Sequence, residues 1–295
     1  MNWKERAIRE DAGFSFQVGI YSRQTFTDGN VGLYEKKGGT DFASRAKDPR
    51  SRAYFDTPLI YQQMEAIFKE MSPRTVLDAG CGDGRAVIWL LENTSANIIA
   101  VDGSHRGLQK LYHQYLEGRP EFEERVMLVH SDMLAMPLQA GCCDVVWAFE
   151  SLYYLMNDYE VAIKQLAELL AAEGTLINGE TNAEFDLVLE LLNNGPKAMM
   201  DVAGSGVIRE QWGEEFLVRP LLSRKRVLNA LVAAGFRLRS ERGISVYPHL
   251  ISFLRSRNMF VDELNATSEE MKDVFLGMGD MQDAKRVNIY ISQKG

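Results

Sequence analysis

Cysteine, histidine and proline are scarce in this 295-residue chain, which holds three, four and eight of them. Cys81, Cys142 and Cys143 form no CxxC pair, and adjacent thiols such as the last two seldom close a disulfide because the geometry is strained. His105, His113, His130 and His249 show no zinc-ligand spacing, so no metal site is expected. Apolar runs long enough to cross a membrane, about 18 residues, are missing. The opening Met1-Asn2-Trp3-Lys4-Glu5-Arg6 lacks the apolar core of a secretory leader. A reduced, cytoplasmic protein with no membrane partner is the expectation. Positive charge is also in short supply: Lys and Arg total 33 against 41 Asp and Glu, a net charge of −8. That balance argues against a nucleic-acid partner.

What the chain does have is apolar content, 46% of residues, and enough length for a sizeable core. Residues 1–55 are polar and glycine-bearing with weak periodicity, and read as a lead-in or lid ahead of one main domain over 56–295. Thr57 and Pro58 suit a helix start, and Ile60, Met64, Ile67, Phe68 and Met71 follow at helical spacing. Strands are then predicted at 75–78, 97–102, 126–130, 144–149 and 175–178, with helices between them, the fourth running through Leu169 and Leu170. Short apolar strands separated by helices mean a parallel sheet buried on both faces, an α/β doubly wound fold. Stretches near 181–222 and 247–285 interrupt the rhythm as insertions. The chain closes on Val287, Ile289 and Ile291 alternating with polar residues, the period-two pattern of a final strand at or near the sheet edge.

The most informative segment is Val76-Leu77-Asp78-Ala79-Gly80-Cys81-Gly82-Asp83-Gly84. A strand running into glycines and then a helix lets backbone approach a ligand at the strand's carboxyl end. Asp102 ends the next strand, where a carboxylate can accept the hydroxyls of an adenosine ribose. Asp132 ends the third, in reach of an adenine amine, although either acid alone could simply cap a helix. A dinucleotide fingerprint would place its third glycine at position 85, which is Arg85 here. An acid beside the loop repels a pyrophosphate and suits a cation. S-adenosylmethionine, with a sulfonium and an ammonium and no phosphate, fits those electrostatics better than NAD.

With the glycine loop, Val101-Asp102-Gly103-Ser104, Ser131-Asp132-Met133, Met136-Pro137-Leu138 and Cys143-Asp144-Val145-Val146-Trp147, residues 56–180 resemble the class I S-adenosylmethionine-dependent methyltransferase family, in its small-molecule branch. The resemblance implies a Rossmann-like, mostly parallel seven-stranded sheet whose last strand is antiparallel. It implies S-adenosyl-L-methionine as cofactor and S-adenosyl-L-homocysteine as product. Gly80, Gly82 and the neighbouring Asp78, Cys81, Asp83 and Gly84 would hold the methionine part, Asp102 and Gly103 the ribose, and Asp132, Met133 and Phe149 the rest of the cofactor.

Methyl transfer is an in-line displacement that depends heavily on positioning. After strand four, Glu150 is the candidate catalytic residue, as a cofactor contact, an acceptor contact or, less favoured, a base. Tyr153 is a candidate acceptor wall. Both insertions are expected to roof the carboxyl edge, with Trp212 and His249 reaching the pocket, and Tyr21 and Tyr54 as lead-in lid residues. A small or medium organic acceptor would suit an apolar roof. Two other readings stand beside this one: a non-catalytic cofactor-binding regulatory module, and an NAD-dependent oxidoreductase.

Overall fold

A computed structural model of the chain describes residues 2–9, 13, 15–17, 19–22, 29–36, 42–212, 214–277 and 285–295. In chain order the lead-in forms α1 (Trp3–Ala7), β1 (Ser15–Gln17), β2 (Ile20–Ser22), α2 (Gly29–Lys36) and α3 (Phe42–Arg45). The alternating body follows: α4 (Arg52–Phe68), β3 (Thr75–Ala79), α5 (Arg85–Asn93), β4 (Asn97–Asp102), α6 (His105–Leu111), α7 (Pro120–Glu123), β5 (Val126–His130), β6 (Cys143–Phe149), α8 (Tyr159–Leu169) and β7 (Leu170–Thr181). The remainder is α9 (Ala183–Asn194), α10 (Pro196–Ser205), β8 (Val207–Trp212), β9 (Glu215–Pro220), α11 (Arg224–Ala233), β10 (Phe236–Ser245), α12 (Tyr247–Ser256), α13 (Val261–Ala266), α14 (Ser268–Gly277) and β11 (Lys285–Lys294).

The main sheet runs β1-β2-β5-β4-β3-β6-β7-β11-β10, parallel from β2 to β7 and antiparallel at both ends. This is the doubly wound α/β fold expected, but the sheet has nine strands and not seven. The two extra strands come from the lead-in, whose β1–β2 hairpin adds to the far edge through β2 and β5. Strands of three residues carry too little periodicity to be seen in the sequence. Ile20 is nonetheless 1% exposed, as deeply buried as the central strands. The final strand lies one place in from the edge, between β7 and β10.

Alternate strand residues feed two cores. Leu77, Ile99, Val129 and Val146 face α8 and α11, whereas Val76, Ile98, Leu128 and Trp147 face α4, α5 and α6. Two boundaries differ from the sequence expectation. Helix α4 starts at Arg52, capped by the Ser51 side chain on the Ala53 N–H, and not at Thr57. Tyr54 and Phe55, buried against Ile251 and Leu264, supply the packing that extends it. Leu170 opens β7, whereas the apolar spacing placed it in the preceding helix.

The strand order reverses around β3, with β4 on one side and β6 on the other, which opens a crevice outside the carboxyl ends of these strands. If the β1–β2 hairpin is part of the core, Ile20→Ala should cost about 2–5 kcal/mol in urea unfolding. A loss well below about 1 kcal/mol would show that the hairpin is an appendage.

Candidate active site

The turn after β3 is built from glycines with positive φ, and at Gly80 and Gly84 a side chain would also clash. Gly80 has φ +85°, and a Cβ there would sit 2.4 Å from the Ser151 Cβ. Its N–H and that of Cys81 both donate to the Val101 carbonyl, which folds the loop back over β4. Gly82 has φ +57°, and its N–H donates to Asp102 Oδ2 at 2.7 Å, while Asp102 Oδ1 accepts from Ser104 N at 2.7 Å. One carboxylate thus stitches the loops after β3 and β4. Each of its oxygens keeps a lone pair for a further donor. Gly84, at φ +88°, caps α5, and a side chain there would strike Leu111 of α6.

Asp78 lies under this loop, 3% exposed, with Oδ2 buried and without a hydrogen-bond partner among the described residues. Burial, and then the nearby Asp102 charge, push its carboxyl up to about 8, partly opposed by Arg85. An unpaired buried carboxyl is costly unless it is protonated or meets a cation. The site therefore has a place for positive charge.

A single cleft opens on this loop. From the sequence-predicted set it brings together Asp78, Gly80, Cys81, Gly82, Asp83, Asp102, Gly103, Met133, Phe149, Glu150 and Tyr153. Gly84 stands outside the walls, as packing between α5 and α6. Asp132 is also outside, with Oδ1 accepting from Leu134 N at 2.9 Å. Neither Tyr21 nor Tyr54 lines the cleft: Tyr21 sits in β2 against Phe16, and Tyr54 is buried beside Phe55 with its hydroxyl on Glu269. His249 packs against Phe185 and bonds to Arg52 from behind. Burial first, then Arg52, Arg286 and Arg219, lower its pKa well below the usual histidine value, so it is neutral. Trp212 ends β8, and its side chain lies outside the described residues.

The expected roof is corrected. Among the described residues none of 181–222 or 247–285 lines the cleft; the cover comes from Asn30, Val31 and Tyr34 of α2, with Phe42 and Arg52. The insertions support the walls from outside. Arg219 of β9, held by Asp186 and Glu210, lies 5.5 Å from the Tyr153 ring. Met200, Phe216 and Phe260 of these insertions are mostly exposed.

Helix α2 is fixed at both ends of the cleft. Glu35 Oε2 accepts from Ser104 Oγ at 2.9 Å and Arg106 N at 3.1 Å. Asn30 Nδ2 donates to the Tyr154 and Val218 carbonyls, at 3.0 and 2.7 Å, and its Oδ1 accepts from Val218 N. The Tyr34 hydroxyl donates to Tyr154 Oη at 2.8 Å, which also accepts from Tyr153 at 3.1 Å. Burial is the first cause that raises all three tyrosines well above the ordinary value, so they remain protonated donors.

Glu150, the expected catalytic residue, has φ +52° and accepts from both Nη groups of Arg286, which is 3% exposed and 3.6 Å from Asp56. Burial would raise its carboxyl, but Arg286, and then Arg52 and Arg85, overcome this and bring it to about 2. Such a carboxylate is a weak proton acceptor. Asn30, Tyr34, Arg52 and Arg286 were not singled out from the sequence. Arg286 and Glu150 are 136 residues apart, so only the β7–β11 pairing joins them.

A model described as a methyltransferase domain matches residues 76–174. The 27-O-demethylrifamycin SV methyltransferase of Amycolatopsis mediterranei is 27% identical over 105 residues, 36% of this chain and 38% of its own length. Methyltransferase GfsG of Streptomyces halstedii is 30% identical over 172 residues, 55% of this chain and 57% of its own. The chain thus spans less than two thirds of either relative. Among solved structures, an S-adenosylmethionine-dependent methyltransferase from Mesorhizobium loti has TM-score 0.50 at 14% identity, covering 79% of this chain and 98% of the other. The [4+2]-cyclase SpnF has TM-score 0.51 at 17% identity, covering 79% and 80%. Likeness at that level speaks to the fold and not to the reaction.

Two outcomes test the ion group. Arg286→Met should destabilise the fold by about 3–5 kcal/mol, because Glu150 is left buried and unpaired. Adding Glu150→Gln should recover part of that loss in urea unfolding. Glu150 has a folded pKa below the usual 4.5, so it contributes stability above pH 4.5 that is lost as pH falls toward 2. Glu150→Gln should accordingly flatten the acid limb of a stability–pH curve, and an unchanged limb would contradict the pairing.

Proposed function

We propose that this chain, which belongs to the class I S-adenosylmethionine-dependent methyltransferase family, transfers a methyl group to a small or medium-sized organic acceptor. The observation that carries the reading is the buried Asp78 carboxyl, with Oδ2 unpartnered, beneath a glycine turn that leaves no room for a side chain at Gly80. When bound, S-adenosylmethionine supplies an electrophilic methyl on a sulfonium together with an α-ammonium, and the donor set fits both the charge and the nucleoside. Asp78 would accept the ammonium, the loop through Gly80 and Gly82 would lie along the methionine part, and Asp102 would take the ribose hydroxyls. Met133 lines the cleft where the base would lie, whereas Asp132 lies outside its walls.

On the acceptor side, Phe149, Tyr153, Tyr154, Tyr34 and Phe42 form an aromatic enclosure suited to an organic body. With Glu150 held by Arg286 and the tyrosines protonated, these residues orient the acceptor and exclude water, and do not withdraw a proton. The rifamycin-modifying relative supports a small-molecule acceptor of this kind.

Calorimetric titration with S-adenosylmethionine, S-adenosylhomocysteine and NADH tests the cofactor. Saturable binding of the first two without the third is expected; the reverse pattern would overturn the reading. Asp102→Ala should weaken S-adenosylhomocysteine about tenfold or more, since charge-assisted hydrogen bonds are each worth about 1.5–3 kcal/mol.

A further inference from the structure

Two arginines, Arg52 and Arg85, line the cleft with Arg286 behind Glu150, and their partners do not balance. Arg286 is committed to Glu150 and Asp56, and Arg52 to Asp56 at 2.9 Å. Arg85 makes no direct ion pair among the described residues, although its charge acts on Asp78 and Glu150. Its guanidinium lies 4.9 Å from the Phe42 ring and 5.9 Å from the Phe149 ring, facing the cleft between two aromatic walls. A further donor lies across the cleft. Tyr154 Oη lines the cleft within 2.8 Å of the Tyr34 hydroxyl and 3.1 Å of the Tyr153 hydroxyl, and as a protonated hydroxyl it can turn its O–H toward a ligand.

Proton acceptors, by contrast, are used up. Glu150 is chelated by Arg286, and Asp102 is held by the N–H groups of Gly82 and Ser104. Asp83 is buried in the glycine turn at 3% exposure, and Asp78 lies under that turn on the cofactor side. No histidine lines the cleft among the described residues. A neutral alcohol must lose a proton as it is methylated, and a group positioned to take it usually contributes heavily to the rate.

We infer that the acceptor is an organic acid, methylated on its carboxylate oxygen, with Arg85 and the Tyr154 hydroxyl as the donors that hold it. This rests on the methyl-transfer reading above. The carboxylate oxygen forms the new O–CH3 bond with its own lone pair while the S–CH3 bond breaks and sulfur keeps its electrons. Anion and sulfonium become a neutral methyl ester and a neutral thioether, and no proton remains to be removed. Phe42 and Phe149, already stacked with Arg85, provide the apolar surface for the body of the acid. The same guanidinium also suits the α-carboxylate of the cofactor, and the experiment separates the two.

Protein saturated with S-adenosylhomocysteine is titrated calorimetrically with benzoate, 3-phenylpropionate and 4-phenylbutyrate, and with the matching amides and alcohols. Methyl ester formation from S-adenosylmethionine is followed by mass spectrometry on the same compounds. At least one acid should bind about tenfold more tightly than its amide and alcohol, as loss of a charge-assisted bond implies, and give its ester. Arg85→Gln should erase that preference, and Arg85→Lys should restore part of it, with S-adenosylhomocysteine affinity within about twofold of wild type. The inference is overturned if the amides or alcohols bind as well as the acids, or if no acid binds the loaded protein. It is equally overturned if Arg85→Gln weakens S-adenosylhomocysteine and not the acid. Failure of the wild-type protein to bind S-adenosylhomocysteine at all would instead remove the methyl-transfer reading, and this inference with it.

Discussion

A carboxyl group buried at the end of a parallel strand must be protonated, paired or answered by a ligand, because leaving it charged and alone costs several kcal/mol. Three carboxyls at the carboxyl edge of this sheet meet that constraint in three different ways. Glu150 is paired with a buried arginine on a distant strand. Asp102 is satisfied by two backbone N–H groups and so locks neighbouring loops together. Asp78 is given no partner, and its carboxyl rises to about 8. The Arg85 charge offsets this only in part, and the glycine turn above Asp78 is closed against Ser151 and Leu111.

The same economy shapes the acceptor side. Tyr153 and Tyr154 come from the loop after β6, yet their positions depend on residues far away: Tyr34 and Asn30 in the lead-in, and Arg219 in β9. Helix α2 reaches from the Ser104 turn to Tyr154 and Val218, so one short element spans both ends of the cleft. It lies outside the 76–174 stretch that matches the methyltransferase domain. A glycine-turn cleft within the matched stretch, with a front wall added from outside it, fits a fold whose chemistry is set by its loops.

What could be read in the sequence was local. The strand ends, the glycine turn, Asp78, Asp102 and Glu150 are fixed by short-range patterns, and the parallel sheet places them at one edge. What could not be read was pairing across the chain. Nothing near Glu150 indicates Arg286, and nothing in 29–36 marks Asn30 as the pin between two loops. Arg85 was visible only as the residue that breaks a dinucleotide fingerprint, although it faces the cleft. The insertions misled because a segment that starts at the carboxyl edge need not fold over it. Here α12 packs on Tyr54 and Phe55 of α4 instead.

The central claim is that Asp78 waits for the cation of the cofactor. At pH 7 a carboxyl near 8 is mostly protonated, and an ammonium placed beside it lowers its pKa and drives the proton off. Titration with S-adenosylmethionine in buffers of different ionisation enthalpy measures that proton directly. The wild-type protein should release a substantial fraction of a proton per site, and Asp78→Asn should release less by that fraction. Equal proton release from the two proteins would contradict the account.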